Sequence, residues 1–270
     1  MPELPEVETS RRGISPHIIG STVYDVVVRQ PKLRWPIPAT LLAHLKARKL
    51  LSIDRRAKYL LLNFETGTLL IHLGMSGSLR ICTEQSPIEK HDHADIIFDN
   101  CLLRYTDPRR FGAILWLGDN PQDSSLLAHL GPEPLSESFT AEHLFQLAGK
   151  RKIPVKQFIM DQKVVTGVGN IYATEALFIA GISPIRAAGN ISVKRYQLLC
   201  LAIKDILAKA IQQGGTTLRD FVGGDGKPGY FQQTLHIYGK TGSDCPKCQT
   251  ALKSLKLAAR NSVYCPKCQK

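Results

Sequence analysis

Short runs of alternating apolar and polar positions fill the chain up to about residue 130, which is the pattern of half-buried β-strands. Turn signals separate these runs, for example Gly67 after a polar pair and the adjacent Asp99 and Asn100. Many short strands at this spacing predict a β-sandwich or a β-barrel. The predicted strands are residues 23–29, 59–64, 68–73, 94–98 and 102–106.

One helix is predicted ahead of these strands. Pro5 suits a first helical position, and Glu6 and Glu8 place negative charge in the first turn. Gly13 follows two arginines, and this order is typical of a helix end. A Gly-Pro-Glu-Pro segment at 131–134 then marks a change to helical periodicity, which predicts a hinge between two domains.

Two further helices are predicted in the second half of the chain. Leu199 and Ile203 belong to an apolar series at helical spacing that predicts a helix over 193–213, and another helix is expected over 171–180. The segment 166–170, Thr-Gly-Val-Gly-Asn, immediately precedes this second helix. Glycines there would let the backbone of a helix-turn-helix variant approach a phosphate, but tight packing explains them equally well.

Composition and charge narrow the class of protein. Of the 270 residues, 43% are hydrophobic and 21% are charged, which is an ordinary globular balance. No apolar run approaches the roughly 20 residues of a membrane span, and the acidic N-terminus is unlike a secretory signal, so a cytoplasmic protein is expected. The net charge of +12 and the isoelectric point near 9.4 predict a polyanionic partner. A generically basic soluble protein would show the same excess.

Four of the seven cysteines form two Cys-Pro-Lys-Cys pairs near the C-terminus, separated by sixteen residues. Two such pairs supply four thiolates for a closed, tetrahedral and therefore structural zinc site, with a β-hairpin between them. The alternative is a set of reduced or disulfide-linked thiols. The hairpin carries Lys253, Lys256 and Arg260 and no acidic residue, which indicates either a phosphate-binding surface or a solvated face. The predicted zinc ligands are Cys245, Cys248, Cys265 and Cys268.

The opening sequence, Met-Pro-Glu-Leu-Pro-Glu-Val-Glu, resembles the start of the bacterial formamidopyrimidine-DNA glycosylases, a branch of the Fpg/Nei family. The resemblance continues in order through the whole chain and ends at the cysteine pairs. Its further motifs are Arg-Arg-Ala-Lys-Tyr at 55–59, His-Leu-Gly-Met-Ser-Gly at 72–77, Tyr-Thr-Asp-Pro-Arg-Arg-Phe-Gly at 105–112, Gly-Val-Gly-Asn-Ile-Tyr at 167–172 and Gly-Lys-Pro-Gly-Tyr at 226–230.

The resemblance implies an α+β fold in four parts. These are an N-terminal helix with a β-sandwich over 1–131, a linker over 132–150, a helix-two-turn-helix domain over 151–234 and a zinc-finger β-hairpin over 235–270. It also implies one structural Zn²⁺. The segment 216–230 is expected to close over an extruded oxidised base, with Arg219 where some relatives carry lysine.

The resemblance further implies a base-excision-repair enzyme with both DNA glycosylase and apurinic/apyrimidinic lyase activity. Pro2 would be the nucleophile after removal of Met1, Glu3 a general acid or base, and Lys58 a cation that binds phosphate or assists the leaving base. Without the resemblance, the chemistry of these three residues is also compatible with simpler roles. Pro2 would then be an ordinary second residue, Glu3 a helix-start acid and Lys58 a surface lysine.

DNA contacts are implied for eight residues. Met75, Arg109 and Phe111 would fill the space that an extruded base leaves, although Met75 and Phe111 could be core residues and Arg109 an ion-pair partner. The other implied DNA contacts are His91, Lys156, Asn170, Tyr238 and Arg260.

The implied partner is double-stranded DNA that contains oxidised purines, bound by a monomeric, cytoplasmic, nucleoid-associated protein without a membrane. Two alternatives stay open. An endonuclease VIII-like enzyme would act on oxidised pyrimidines, and its opening sequence usually departs from the Leu-Pro-Glu-Val-Glu found here. A zinc-ribbon DNA-binding regulator without enzymatic activity would explain the charge, the cysteines and the glycine turn.

Overall fold

The computed structural model describes residues 2–214 and 235–270. These residues form two compact units, of which the first takes in the chain up to Ala128 and the second begins at His129. The division lies close to the hinge predicted at 131–134. The predicted base-closing segment 216–230 lies outside the described residues.

Helix α1 (Leu4–Ile18) opens the first unit and is longer than the sequence predicted. Gly13 does not end it, and the helix continues through Pro16 in its last turn. Ile14 and Ile18 explain the extension, since both are fully buried in the core of the unit. Burying two isoleucine side chains outweighs the cost of about 1 kcal/mol for a glycine inside a helix.

Two four-stranded antiparallel sheets follow α1, in the orders β1-β6-β7-β5 and β2-β3-β4-β8. Side chains of both sheets, such as Leu62 and Leu103, share one buried core, so the predicted β-sandwich is confirmed. A short helix, α2 (Leu41–Leu45), and a 3₁₀ turn (Pro121–Asp123) complete the unit. The strands are β1 (Val23–Val28), β2 (Leu50–Arg56), β3 (Tyr59–Phe64), β4 (Gly67–His72), β5 (Ser78–Cys82), β6 (Asp92–Phe98), β7 (Leu102–Thr106) and β8 (Ala113–Gly118).

The second unit is built around α5, whose residues from Ile171 to Phe178 are all buried. The predicted helices 171–180 and 193–213 correspond to α5 and α6 within one residue at each end. A 3₁₀ turn (Ala188–Asn190) precedes α6, and a two-stranded hairpin follows near the C-terminus. The elements are α3 (Ala141–Ala148), α4 (Val155–Met160), α5 (Asn170–Ile179), α6 (Val193–Gln212), β9 (Lys253–Leu257) and β10 (Arg260–Tyr264).

The hairpin and the cysteine pairs do not stand apart from the helices. Phe178 of α5 shares a buried cluster with Ile237, Leu252, Val263 and two of the cysteines. The regions predicted as separate helical and zinc-finger domains therefore pack around a common core. Within the described ranges of the chain, we find no helix that combines the length and the apolar character required to span a bilayer.

Candidate functional site

The start of α1 holds the predicted nucleophile and the predicted acid. Pro2 is buried directly before the helix, and the Glu3 side chain is also buried, with 1% of the residue exposed. The backbone N–H of Glu3 donates a hydrogen bond of 2.8 Å to Oε2 of Glu6, which is itself buried. This bond caps the helix, and an acidic group here interacts favourably with the helix dipole. The start of α1 therefore buries Pro2 and Glu3 together.

Glu8 connects α1 to the neighbouring strand. Its carboxylate accepts hydrogen bonds from Arg11 Nη2 at 2.8 Å, Arg12 Nε at 2.8 Å and Arg55 Nε at 3.2 Å. Burial by itself would raise the pKa of Glu8, but the hydrogen bonds and charges of these arginines outweigh it and lower the pKa to about 2. From the sequence, Glu8 was predicted only to place negative charge in the first turn of the helix. Its ionised form fastens α1 to β2.

Glu8→Gln is expected to lower the free energy of unfolding by about 2 kcal/mol near neutral pH, because three guanidinium groups lose an ionised partner. A carboxyl group whose pKa is lower in the folded protein stabilises the fold above its ordinary pKa of 4.5, and this contribution disappears as the pH falls toward about 2. Urea unfolding across this pH range measures the difference from the unchanged protein, which should shrink with acidity. Glu84→Gln, at an exposed acid, is the control; an equal loss in both variants would contradict the assignment.

Lys58 lies at the turn between β2 and β3. Arg56 pairs with Tyr59, so Ala57, with a φ of 55°, and Lys58 form a two-residue hairpin turn. Besides the Glu8–Arg55 contact, Arg11 Nη1 donates to the Ile53 carbonyl at 3.2 Å.

These two contacts show that α1 and β2 run in opposite directions. Moving from Glu8 to Glu3 covers about 7.5 Å toward the start of the helix. Moving from Arg55 to the turn that contains Lys58 leads in the same direction. Lys58 is thus brought to the end of the unit where Pro2 and Glu3 lie.

His72 lies beside the turn that carries Lys58. The backbone of His72 pairs with Tyr59, the residue after Lys58. Burial, followed by the positive charges of Lys58 and Arg34, lowers the pKa of His72 to about 4. His72 is therefore neutral near pH 7, and its Nδ1 accepts a hydrogen bond from the Gly74 N–H at 3.1 Å.

Two loops carry the three residues predicted to fill the space of an extruded base. Met75 lies in the loop 73–77, while Arg109 and Phe111 lie in the loop 107–112. Met75 is 36% exposed and Phe111 46% exposed, so neither is a core residue. The Arg109 guanidinium carbon lies 4.8 Å from the centre of the Phe111 ring, a cation–π contact.

Asp107, which was not among the residues predicted to be functional, organises both loops. It is fully buried. Its Oδ1 accepts from Ser76 Oγ at 2.8 Å and the Arg109 N–H at 3.2 Å, and its Oδ2 accepts from the Gly112 N–H at 2.9 Å. A Cβ added to Gly74 would lie 2.5 Å from the backbone nitrogen of Gly112, so the loops touch directly. The place of Asp107 inside the motif at 105–112 was the feature of the sequence that could have indicated its role.

His91, another predicted DNA contact, borders the same loop. Its carbonyl accepts a hydrogen bond from the Asp107 N–H at 3.0 Å, and its side chain is partly exposed. The neighbouring His93 is buried and lies 2.7 Å from the Asp107 carbonyl through Nε2. The first unit therefore brings together Met75, His91, Arg109 and Phe111.

In the second unit, Asn170 begins α5 directly after the glycine turn. The Lys156 side chain, only 1% exposed, lies beneath it. Its Nζ donates to Asn170 Oδ1 and Ser262 Oγ, both at 2.7 Å, and to the Asn261 carbonyl at 3.4 Å. An ammonium group has three N–H donors, and these three acceptors account for them. Lys156 thus connects the turn to β10 rather than extending into solvent.

Arg260 and Tyr238 belong to the same unit, and Arg260 lines a surface pocket together with Lys156. Arg260 is exposed at the start of β10, after the turn residues Ala258 and Ala259, whose φ values of 45° and 62° suit a tight hairpin. The Tyr238 N–H donates to Glu175 Oε1 at 2.7 Å.

Glu175 holds the segment that contains Tyr238. The N–H groups of His236 and Ile237 also donate to its buried carboxylate. Glu175 is a residue that the periodicity of the sequence did not single out, although it is the one charged residue within Asn170–Ile179, an otherwise apolar helix.

The four cysteines converge as their spacing predicted. Their Sγ atoms all lie within 4.8 Å of one another. The Cys248–Cys265 and Cys245–Cys268 Sγ–Sγ distances are 3.5 and 3.9 Å. Zn–S bonds of about 2.3 Å in a tetrahedron require Sγ–Sγ distances of about 3.8 Å, so the cluster fits one structural Zn²⁺ with four protein ligands.

Family models match three regions of the chain. The formamidopyrimidine-DNA glycosylase N-terminal domain matches residues 1–114, the formamidopyrimidine-DNA glycosylase H2TH domain matches 130–222, and the zinc finger found in FPG and IleRS matches 242–270. A β-sandwich that begins with a buried Pro-Glu helix start, joined to a helical unit with a zinc finger, is the architecture of the helix-two-turn-helix DNA glycosylases. Within this class, the chain belongs to the formamidopyrimidine-DNA glycosylase family.

Individual relatives agree with the family models. The chain is 74% identical to the formamidopyrimidine-DNA glycosylase of Psychromonas ingrahamii and 57% identical to that of Hahella chejuensis, over the full length of each. A complex of Lactococcus lactis Fpg with DNA that contains an abasic site matches with a TM-score of 0.93 at 33% identity, over 99% of both chains. A variant of the same protein with Fapy-dG-containing DNA gives a TM-score of 0.94. The predicted family, fold class, enzyme class and zinc site are confirmed.

Proposed function

We propose that this DNA glycosylase of base-excision repair removes oxidised purines, namely 8-oxoguanine and formamidopyrimidines, from duplex DNA and then cleaves the strand. The observation that carries the proposal is the juxtaposition of Pro2 and Glu3 at the buried start of α1, with Lys58 brought to the same end by the hairpin turn.

Pro2 is the proposed nucleophile once Met1 has been removed. A terminal amine has a reference pKa of roughly 8, so a useful fraction is neutral in the cell. Its nitrogen forms a bond to sugar C1′ as the bond from C1′ to the damaged base breaks, and the base leaves with a proton. Opening of the sugar ring then breaks the C1′–O4′ bond, with Glu3 as the proton donor to O4′, and leaves a cationic iminium.

The iminium explains how one nucleophile supports both activities. It withdraws electrons from C1′, so the proton on C2′ becomes acidic. Loss of this proton expels the phosphate from C3′ by β-elimination, and a second, δ-elimination expels the phosphate from C5′. Lys58 is proposed to bind phosphate or to assist the leaving base, because its cationic side chain belongs to the turn between β2 and β3.

A base within a duplex must be extruded before this chemistry can begin, at a cost of a few kcal/mol. Exposed Met75 and Phe111 have the apolar character to fill the vacated space, and Arg109 can pair with the unpaired base. Asn170, Arg260 and Tyr238 are proposed to contact phosphates, together with His91. Lys156 is proposed to act through Asn170, since its ammonium group is engaged within the protein.

The proposed partner is duplex DNA, bound by a monomeric, cytoplasmic, nucleoid-associated protein. The net charge of +12 supports a polyanionic partner. A second candidate substrate class is oxidised pyrimidines, because one solved structure of Lactococcus lactis Fpg is a complex with oxidised-pyrimidine-containing DNA.

Excision from duplexes that contain 8-oxoguanine opposite cytosine is expected to exceed excision of thymine glycol by at least about tenfold at equal enzyme concentration. Single-turnover strand cleavage measures both rates, and an undamaged duplex of the same sequence is the control. Faster release of thymine glycol would instead assign the chain to oxidised pyrimidines. Binding to all three duplexes without any strand cleavage would contradict the proposed removal of oxidised bases and cleavage of the strand.

A further inference from the structure

Ser76 stands at the contact between the two loops that carry Met75, Arg109 and Phe111. It is buried, with 3% of the residue exposed, although Met75 beside it is open to solvent. Its hydroxyl donates to Asp107 Oδ1 at 2.8 Å, and its oxygen accepts from the Arg109 N–H at 3.3 Å. The Ser76 hydroxyl thus makes two hydrogen bonds to the opposite loop, one as a donor and one as an acceptor.

Asp107 is bonded to the loop 73–77 through the Ser76 hydroxyl. Its two oxygens accept from four donors, which fill the acceptor capacity of a carboxylate. Three of these donors belong to its own strand and loop, namely the Tyr105 hydroxyl at 3.2 Å and the N–H groups of Arg109 and Gly112. The fourth donor, Ser76, comes from the loop 73–77.

The loop 73–77 is a tight turn with little freedom to adjust. The Gly77 N–H donates to the Leu73 carbonyl at 2.8 Å, and Gly74 has a φ of 62° and packs against the backbone of residues 111 and 112. Ser76 and Met75 are adjacent residues within this hydrogen-bonded turn. A shift of Ser76 therefore shifts Met75 relative to Arg109.

We propose that Ser76 is a positioning residue for base extrusion, which holds Met75 in register with Arg109 and Phe111. The inference rests on the proposed function and deepens it. Loss of the hydroxyl should slow the steps in which the three side chains enter the duplex together. It should leave the chemistry at Pro2 unchanged, because Ser76 is not one of the residues proposed to carry out that chemistry, which are Pro2, Glu3 and Lys58.

Ser76→Ala tests this inference, with Ser78→Ala as the matched control at a second buried serine, three residues after Met75. Single-turnover excision of 8-oxoguanine from duplex DNA should fall about tenfold in Ser76→Ala, as expected for one buried hydrogen bond between neutral and charged groups. Strand cleavage at a preformed abasic site should change less than about twofold, since no base has to be unstacked. The fluorescence of 2-aminopurine beside the lesion should rise more slowly in the variant.

Three outcomes overturn the proposal. The first is an unchanged rate of 8-oxoguanine excision in Ser76→Ala. The second is an equal loss on both substrates together with a lower melting temperature, which would indicate a purely structural role. The third is an equal effect of Ser78→Ala. Failure of the proposed function looks different, because the unchanged protein would then not excise 8-oxoguanine at all. Asp107 variants are avoided, since removing a carboxylate with four donors threatens the fold itself.

Discussion

One residue retained ahead of Pro2 is expected to abolish strand cleavage and covalent trapping on oxidised duplex DNA, with a loss of about a thousandfold or more. An amide nitrogen has no free electron pair with which to attack C1′, and it cannot become an iminium. Borohydride reduction of the reaction with 8-oxoguanine duplex, followed by denaturing electrophoresis, measures the covalent adduct directly.

A cleavable extension provides the matched control for this experiment. Protease removal of the added residue regenerates Pro2 and should restore both trapping and cleavage. DNA affinity should be similar with and without the extension, because the phosphate contacts proposed for Asn170 and Arg260 do not involve the N-terminus. Undiminished trapping by the extended protein would assign the nucleophile to another residue, such as Lys58.

Removal of zinc is expected to weaken DNA binding at least about tenfold. A structural zinc contributes roughly 10–16 kcal/mol, which is comparable to the whole stability of a domain, so the finger that carries Arg260 should unfold without it. Fluorescence anisotropy with labelled duplex measures affinity, and a chromogenic chelator counts the metal, for which one ion per chain is expected.

Cysteine variants separate this effect from general damage to the protein. Cys268→Ser should release the zinc and reproduce the loss of affinity. Cys82→Ser is the control, because Cys82 lies on β5, far along the chain from the four-cysteine cluster. Hydrogen exchange should also accelerate in the last turn of α5, where Phe178 packs against the finger. Full affinity in Cys268→Ser would show that zinc is dispensable for DNA binding.

Sequence patterns recovered the interior of the β-sandwich better than its edges. The strands that were missed, β2, β5 and β8, are all edge strands of their sheets. An edge strand has one hydrogen-bonded neighbour and exposes more of its side chains, so its alternation of apolar and polar residues is weaker. The end of α1 was misjudged for a related reason, since burial of Ile14 and Ile18 is a tertiary effect that a local glycine signal does not contain.

In the candidate site, too, features that depend on local sequence were predicted, and features that depend on distant contacts were not. Cysteine spacing is local and encodes its ligand geometry, so the zinc cluster could be predicted from the sequence alone. The roles of Pro2, Glu3 and Lys58 required resemblance to a family, because their proximity depends on how α1 lies against β2. Burial of Lys156 and the functions of Asp107 and Glu175 depend on contacts between distant segments, which periodicity cannot reveal.

The common core of the finger and α5 limits how this protein can be divided or recombined. Phe178, which closes that core, belongs to the helix that begins at Asn170, and Lys156 connects the same helix start to Ser262 of the hairpin. The finger is therefore not a portable module. A chimera that exchanges only residues 242–270 would carry its zinc ligands but leave Phe178 and Ile237 of their common core behind. An exchange that keeps these contacts and the Lys156 bond would have to begin at α4.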